Sequence, residues 1–319
     1  MKTALFAFCV AFLIALWLTP RVRDLALRRG VVDQPGGRRI HDRPVPRWGG
    51  IAIWLGVVLA VALAALGNRL VTGNSFLTPQ LIALLAGASA VAVLGMVDDR
   101  LELSARWQAL GLIAVALAVS QFGVRINYVT NPAGGLFYLG WAAVPATVIW
   151  LFGVTKTIDL IDGLDGLAAG VCAIASCALA VLAILMNTHS VAIVCAAVTG
   201  ASLGFLRYNY PPASIFMGTV GAQFMGFVIA GAAVIGAFKV AAAFAVLVPI
   251  LALGVPLFDA VFAVARRAAN GQPVYMPDRG HIHHRLLDAG LTQSQVILVI
   301  YCATVVLSAG ALFIVSMVR

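Results

Sequence analysis

Apolar runs long enough to cross a bilayer recur along the whole chain, separated by short polar stretches. Their cores fall at 3–19, 50–66, 79–97, 106–123, 137–153, 167–186, 189–206, 221–238, 241–265 and 294–317, and a membrane-crossing helix needs about 20 mainly apolar residues. Backbone groups in lipid must satisfy one another, and these Ala, Leu, Val and Ile runs are long rather than short and alternating, so helices are expected instead of barrel strands. The pattern predicts an all-α fold, a polytopic membrane helix bundle of about ten transmembrane helices. It reads as a single integral membrane domain over residues 1–319. No low-complexity linker or internal repeat divides it. The first run follows Lys2 and ends before Pro20 and Arg21 without a small-x-small cleavage site, so it is read as a retained span.

Composition agrees: 62% of residues are hydrophobic and only 10% charged, too little polar surface for a soluble domain of this length. A net charge of +9 raises nucleic acid as a partner, but no basic domain stands outside the apolar runs, so none is expected. Retention of basic loops on one membrane side gives the same excess. Ten spans sort the loops into two sets, and 20–49, 98–105, 154–166, 207–220 and 266–293 with Arg106 hold 16 of the 21 Lys and Arg. That set is therefore assigned to the cytoplasm. All 12 acidic residues fall on the same side, with Asp259 near the end of its run, as do four of the five histidines, His189 being the exception. The acids played no part in the assignment and so support it. Cys9, Cys172, Cys177, Cys195 and Cys302 lie in apolar runs without CxxC spacing and read as small hydrophobes.

Four segments on that face carry candidate chemistry. The first, Asp33 through Gly50, offers His41 and the guanidiniums of Arg38, Arg39, Arg43 and Arg47 to anionic groups. It reads equally as an ordinary basic loop. The second holds Asp98 and Asp99, adjacent carboxylates at a span end that need a cationic partner. Pairing with Arg100 or Arg106 is one solution, a Mg²⁺ site another, and a base or nucleophile a third. The third, Lys156-Thr-Ile-Asp159-Leu-Ile-Asp162-Gly-Leu-Asp165-Gly, spaces three carboxylates by three, with Gly163 and Gly166 suggesting a turn into the next span. Its spacing is not that of an EF-hand. The fourth, Asp278-Arg279-Gly-His281-Ile-His283-His284-Arg285, lacks zinc-helix spacing and fits anion contact or proton transfer better. Carboxylates for a divalent cation and basic groups for phosphates, at membrane level, point to phosphoryl transfer between a soluble and a lipid-embedded substrate.

These segments, with Tyr208-Asn-Tyr-Pro-Pro212, Phe216-Met-Gly218 and Gly271 through Leu287, resemble the polyprenyl-phosphate N-acetylhexosamine-1-phosphate transferases over nearly the whole chain. The likeness is to the branch that uses UDP-GlcNAc and undecaprenyl phosphate. It implies ten or eleven helices and a Mg²⁺-dependent reaction, with Mn²⁺ as a substitute, in which a sugar-1-phosphate passes from a UDP-sugar to polyprenyl phosphate and UMP is released. By position it implies Asp98 and Asp99 as the catalytic, metal-proximal pair and Asp162 and Asp165 as part of the nucleotide pocket. It likewise puts Arg279, His281, His283 and His284 on phosphates or sugar, with His41 and Arg47 in the same cleft. UDP-sugar, polyprenyl phosphate and membrane lipid are the implied partners, and a homodimer stays open.

The chain departs from the family where Asn-x-x-Asn-x-x-Asp becomes Lys156, Asp159 and Asp162, and where Met-Gly-Asp-x-Gly-Ser becomes Met217-Gly-Thr219-Val-Gly-Ala222. The family's missing Asp is a metal ligand, and a hydroxyl is a weaker ligand for a hard dication. Either Asp159 replaces that ligand, with Lys156 on substrate phosphate, or the protein binds lipid phosphate or a partner enzyme without transfer. A transporter is a third class, for which Asp259 is the only acid inside a run; the ordinary reading there is a buried Asp bonded to a neighbouring helix end.

Overall fold

The structure is a computed structural model and describes residues 1–34, 44–130, 135–237, 247–269, 271 and 280–318. It is an α-helical bundle. In chain order the helices are α1 (Lys2–Arg28), α2 (Gly50–Thr72), α3 (Pro79–Leu101), α4 (Ala105–Gln121), α5 (Ala143–Ile161), α6 (Leu167–Leu185), α7 (His189–Asn209) and α8 (Gly218–Ala237). They are followed by α9 (Leu247–Ala252), α10 (Gly254–Ala269), α11 (Ile282–Asp288) and α12 (Gln293–Val318). Two small antiparallel ribbons accompany them. One pairs β1 (Val32–Asp33) with β2 (Val45–Pro46), the other β3 (Tyr128–Thr130) with β4 (Leu136–Tyr138).

Among the described residues eight helices are long and apolar enough to cross a membrane: α1, α2, α3, α5 with its leading turn, α6, α7, α8 and α12. The protein is a multi-pass membrane protein. Of the ten expected spans, the fourth and ninth runs are not among these eight. The fourth run forms α4 of 17 residues, roughly 25 Å at 1.5 Å per residue, at the lower limit for a helix that crosses a bilayer. The ninth run, 241–265, is not one helix, because its described part breaks at Leu253 between α9 and α10. Pro256 has no N–H to offer the Ala252 carbonyl, and Gly254 is a weak helix former.

Several stretches assigned to loops are helical. Helix α1 runs through Pro20 to Arg28, α3 carries Asp98 and Asp99 to its end at Leu101, and α5 continues through Lys156 and Asp159 to Ile161. The reason is continuity of the buried face. In α1 the stripe Ala4, Ala7, Ala11, Ala15, Thr19, Val22, Ala26 keeps helical spacing past the proline.

Helices meet through small residues, as expected where lipid is as apolar as the side chains. The alanine stripe of α1 faces glycines: Gly200 and Gly204 of α7 lie against the Phe8 and Phe12 carbonyls, and Gly56 of α2 against that of Ala11. Both α1 and α7 step by four residues in the same direction, so they run parallel. Around α8 the approach is closer still. A Cβ on Gly50 would collide with the Gly221 backbone, and one on Gly95 would come within 2.7 Å of Val220. Gly49 N–H donates to Phe216 O at 2.9 Å and Gly50 N–H to Met217 O at 2.8 Å, tying the start of α2 to the start of α8. These contacts put the ends of α1, α3, α5 and α7 and the starts of α2, α4, α6 and α8 at one end of the bundle.

Gly50→Ala is expected to destabilise the protein by about 1–3 kcal/mol through overpacking. Gly67→Ala, in the same helix with open space around it, is expected to be neutral or to stabilise by up to about 1 kcal/mol. Thermal unfolding of the two variants in detergent micelles checks the difference.

Candidate active site

The end of α3 supplies two buried carboxylates with different tasks. Both oxygens of Asp99 are taken by the opening amides of α8, Thr219 N–H to Oδ1 at 2.9 Å and Val220 N–H to Oδ2 at 3.3 Å. An anion there compensates free N–H groups and the helix dipole. Gly218 makes room for it: its φ is +72°, and a Cβ would collide with Asp99 Oδ2. Asp98 instead holds the turn into α4, its Oδ1 accepting from Leu103 N–H at 3.0 Å and from Gln108 Nε2 at 2.7 Å.

Gln108 extends that contact into a network across four helices. Its Oε1 accepts from Lys156 Nζ at 2.6 Å, and the same ammonium pairs with Asp159 Oδ2 at 2.8 Å. Gln223 of α8 donates to that Asp159 oxygen at 3.2 Å. Asp98, Gln108, Lys156, Asp159 and Gln223 thus form one chain of polar contacts through α3, α4, α5 and α8. Thr219 precedes Gln223 by four residues, on the same face of α8, so Asp159 lies beside the helix face that lacks the expected carboxylate.

The turn after α5 brings in the other two carboxylates. Asp165 Oδ2 accepts from Ala213 N–H at 2.9 Å. Gly166, at φ +76°, donates its N–H to Asn209 Oδ1 at 3.0 Å, and its carbonyl accepts from the Tyr301 hydroxyl at 2.6 Å. Asp162, half-buried at the end of α5, is pushed well above the usual carboxylate range. Loss of hydration is the main cause, the carboxylates of Asp159, Asp99 and Asp165 add to it, and Arg47 opposes it. Arg47 itself is ion-paired with Asp33 of β1.

The histidine segment closes over this turn. His283 is 2% exposed, and its Nε2 would lie 3.1 Å from a Cβ on Gly163, next to Asp162. Its ring is stacked 5.7 Å from His281 and tilted 4.3 Å from His284. Burial holds its pKa down to about 4, with His284 and His281 contributing. The structure therefore brings together Asp98, Asp99, Lys156, Asp159, Asp162, Asp165 and, over Gly163, the imidazole segment. His41 and Arg279, with Arg38, Arg39 and Arg43, lie outside the described residues. Sequence reasoning missed Gln108 and Gln223 as members of the site. The signal for Gln223 was there, as the lone amide in an apolar helix.

Among the described residues no three His, Cys, Asp or Glu side chains form a ready-made metal shell. Mg²⁺ does not require one, since it uses one or two carboxylates together with substrate phosphate and water. Two features fit a hard cation. Asp162 stands among like charges that nothing fully offsets, and Gln223 Oε1 is buried without a hydrogen-bond partner among the described residues.

Fold and site define a multi-pass membrane enzyme whose polar machinery is confined to one end of the bundle. Comparison with known proteins gives the family. The profile described as Glycosyl transferase family 4 matches residues 81–237. A Bacillus subtilis protein described as a probable undecaprenyl-phosphate N-acetylglucosaminyl 1-phosphate transferase is 39% identical over 97% of this chain and 84% of its own length. A decaprenyl-phosphate N-acetylglucosaminephosphotransferase of Mycobacterium tuberculosis is 33% identical over 94% of this chain and 80% of its own. The undecaprenyl-phosphate alpha-N-acetylglucosaminyl 1-phosphate transferase of Escherichia coli O157:H7 is 25% identical over 90% and 77%. The chain belongs to glycosyl transferase family 4.

Because His283 has a folded pKa near 4 against about 6.5 when unfolded, the unfolded chain binds more protons between those values. Stability is therefore expected to fall as pH drops from about 6.5 towards 4. His283→Gln should remove this component, read as the difference between the two proteins' Tm-against-pH curves without substrate.

Proposed function

We propose that the protein transfers a sugar-1-phosphate, an N-acetylhexosamine-1-phosphate, from a UDP-sugar to undecaprenyl or another polyprenyl phosphate. UMP is released, and the lipid product enters cell-envelope glycan synthesis. An oxygen of the lipid phosphate bonds to the sugar-bearing phosphorus as the bond from that phosphorus to the UMP oxygen breaks. The observation that carries this reading is the meeting of Asp98, Asp99, Asp159 and Asp162 at one end of the bundle, in a chain whose relatives bear names of this reaction.

Of the expected pair, Asp98 is the catalytic carboxylate in this reading and Asp99 the residue that positions α8, on the cytoplasmic face of the bacterial inner membrane. Asp99 is spent on fixing α8, so Asp98, with one oxygen free of hydrogen bonds among the described residues, is the carboxylate that faces substrate. Asp98, Asp159 and Gln223 would hold Mg²⁺ or Mn²⁺, which when bound supplies charge neutralisation for the diphosphate. Lys156 is held by Gln108 and Asp159 and gives the phosphates a fixed ammonium. His283 covers the turn beside Asp162, and in this reading His281, His283 and His284 contact phosphate or sugar. Asp159, placed against α8 one turn from Thr219, takes over the ligand role of the missing carboxylate, which favours an active enzyme over a binding protein.

Purified protein given Mg²⁺ and undecaprenyl phosphate is expected to release UMP from at least one UDP-N-acetylhexosamine, and a screen over UDP-sugars with Mg²⁺ or Mn²⁺ reads the sugar. No UMP from any UDP-sugar would end the transfer reading. Asp159→Asn is expected to lower turnover by at least about 100-fold, and Asp159→Asn with Thr219→Asp to restore part of it. Full activity in Asp159→Asn would remove the replacement role while leaving transfer intact.

A further inference from the structure

Helix α10 is two-sided. Asp259, Ala263 and Arg267, four residues apart, face inward and are buried, whereas Phe258, Val261 and Phe262 are 53%, 62% and 65% exposed. The buried carboxylate grips the start of the histidine segment with both oxygens. Asp259 Oδ2 lies 2.8 Å from His281 Nδ1, and Oδ1 accepts from Ile282 N–H at 2.8 Å. His281 and Asp259 are 5% and 8% exposed, so water does not compete for either contact. A carboxylate so placed can only accept, and the ring nitrogen facing it must then carry the hydrogen.

We propose that Asp259 is a positioning residue of the active site. It locks His281 with Nδ1 protonated and directs Nε2 away from α10, as the ring nitrogen free to meet a phosphate oxygen. The geometry favours the substrate pocket as the destination. His281 stacks on His283 with an interplanar angle of 5°, and His283 in turn covers Gly163 beside Asp162. Because the carboxylate comes from the helix that exposes Phe258 and Phe262, the placement of His281 is tied to an element with an exposed apolar outer face. The inference rests on the transfer reading for its kinetic consequence but not for its structural one.

The test has two arms. With ¹⁵N-labelled histidine in detergent, and the His281 signals assigned by comparison with His281→Asn, wild-type Nδ1 is expected to be protonated. In Asp259→Ala that preference should be lost. In turnover, Asp259→Ala is expected to lower kcat about 10- to 100-fold with the KM for UDP-sugar changed less than about twofold. His281→Asn keeps a donor towards Asp259 but has no Nε2, and is expected to hold a near wild-type Tm while losing activity to the same degree or more. An unprotonated Nδ1 in the wild type, or Asp259→Ala retaining more than half of kcat, would overturn the proposal. So would an active His281→Asn, which would leave Asp259 only an anchor for α11. If the wild type releases no UMP, the transfer reading fails, and the nitrogen signal still decides the Asp259–His281 pair.

Discussion

The carboxylate of Asp99 on the open amides of α8 is the contact on which the site depends. It joins the end of one helix to the beginning of another separated by more than a hundred residues. It is an unusual use of a charge, because a carboxylate near lipid is costly unless donors surround it. Here the helix terminus provides them, and Gly218 provides the space. With α8 so fixed, Thr219 and Gln223 are presented to Asp159, and the glycine contacts at Gly50 and Gly95 allow α2 and α3 to close around them. Helix packing and site geometry are therefore the same set of contacts.

The bundle could be read from the periodic apolar runs, and the gathering of acids and imidazoles on one face from their distribution between loops. Both signals are long-range averages over many residues. Individual partners were less legible. Gln108 looks like an ordinary polar residue at a helix start, and only the fold brings it between Asp98 and Lys156. Asp259 stood out as the one acid inside a run, yet its partner lies 22 residues further on, beyond any local pattern. Helix ends were misplaced in a consistent direction. Charged residues such as Asp98 and Asp159 were assigned to loops because charge interrupts hydropathy, although hydrogen bonding allows a helix to carry them in its last turns.

The Thr219 substitution shows what a single residue can and cannot say. In isolation it places a neutral hydroxyl where the resemblance leads one to expect a carboxylate. In the fold Asp159 is bonded both to Lys156 and to Gln223, the residue one turn beyond Thr219 on α8. Effects of single substitutions within this group will not add, because each side chain is the partner of at least one other.

The parallel contact between α1 and α7 has a consequence for biogenesis. The edge of α1 made of alanines finds its glycine counterpart, Gly200 and Gly204, only after most of the chain has been made. Until α7 has been made, the face of α1 that meets Gly200 and Gly204 lacks that partner. Closure of the bundle around the site is therefore a late event in assembly.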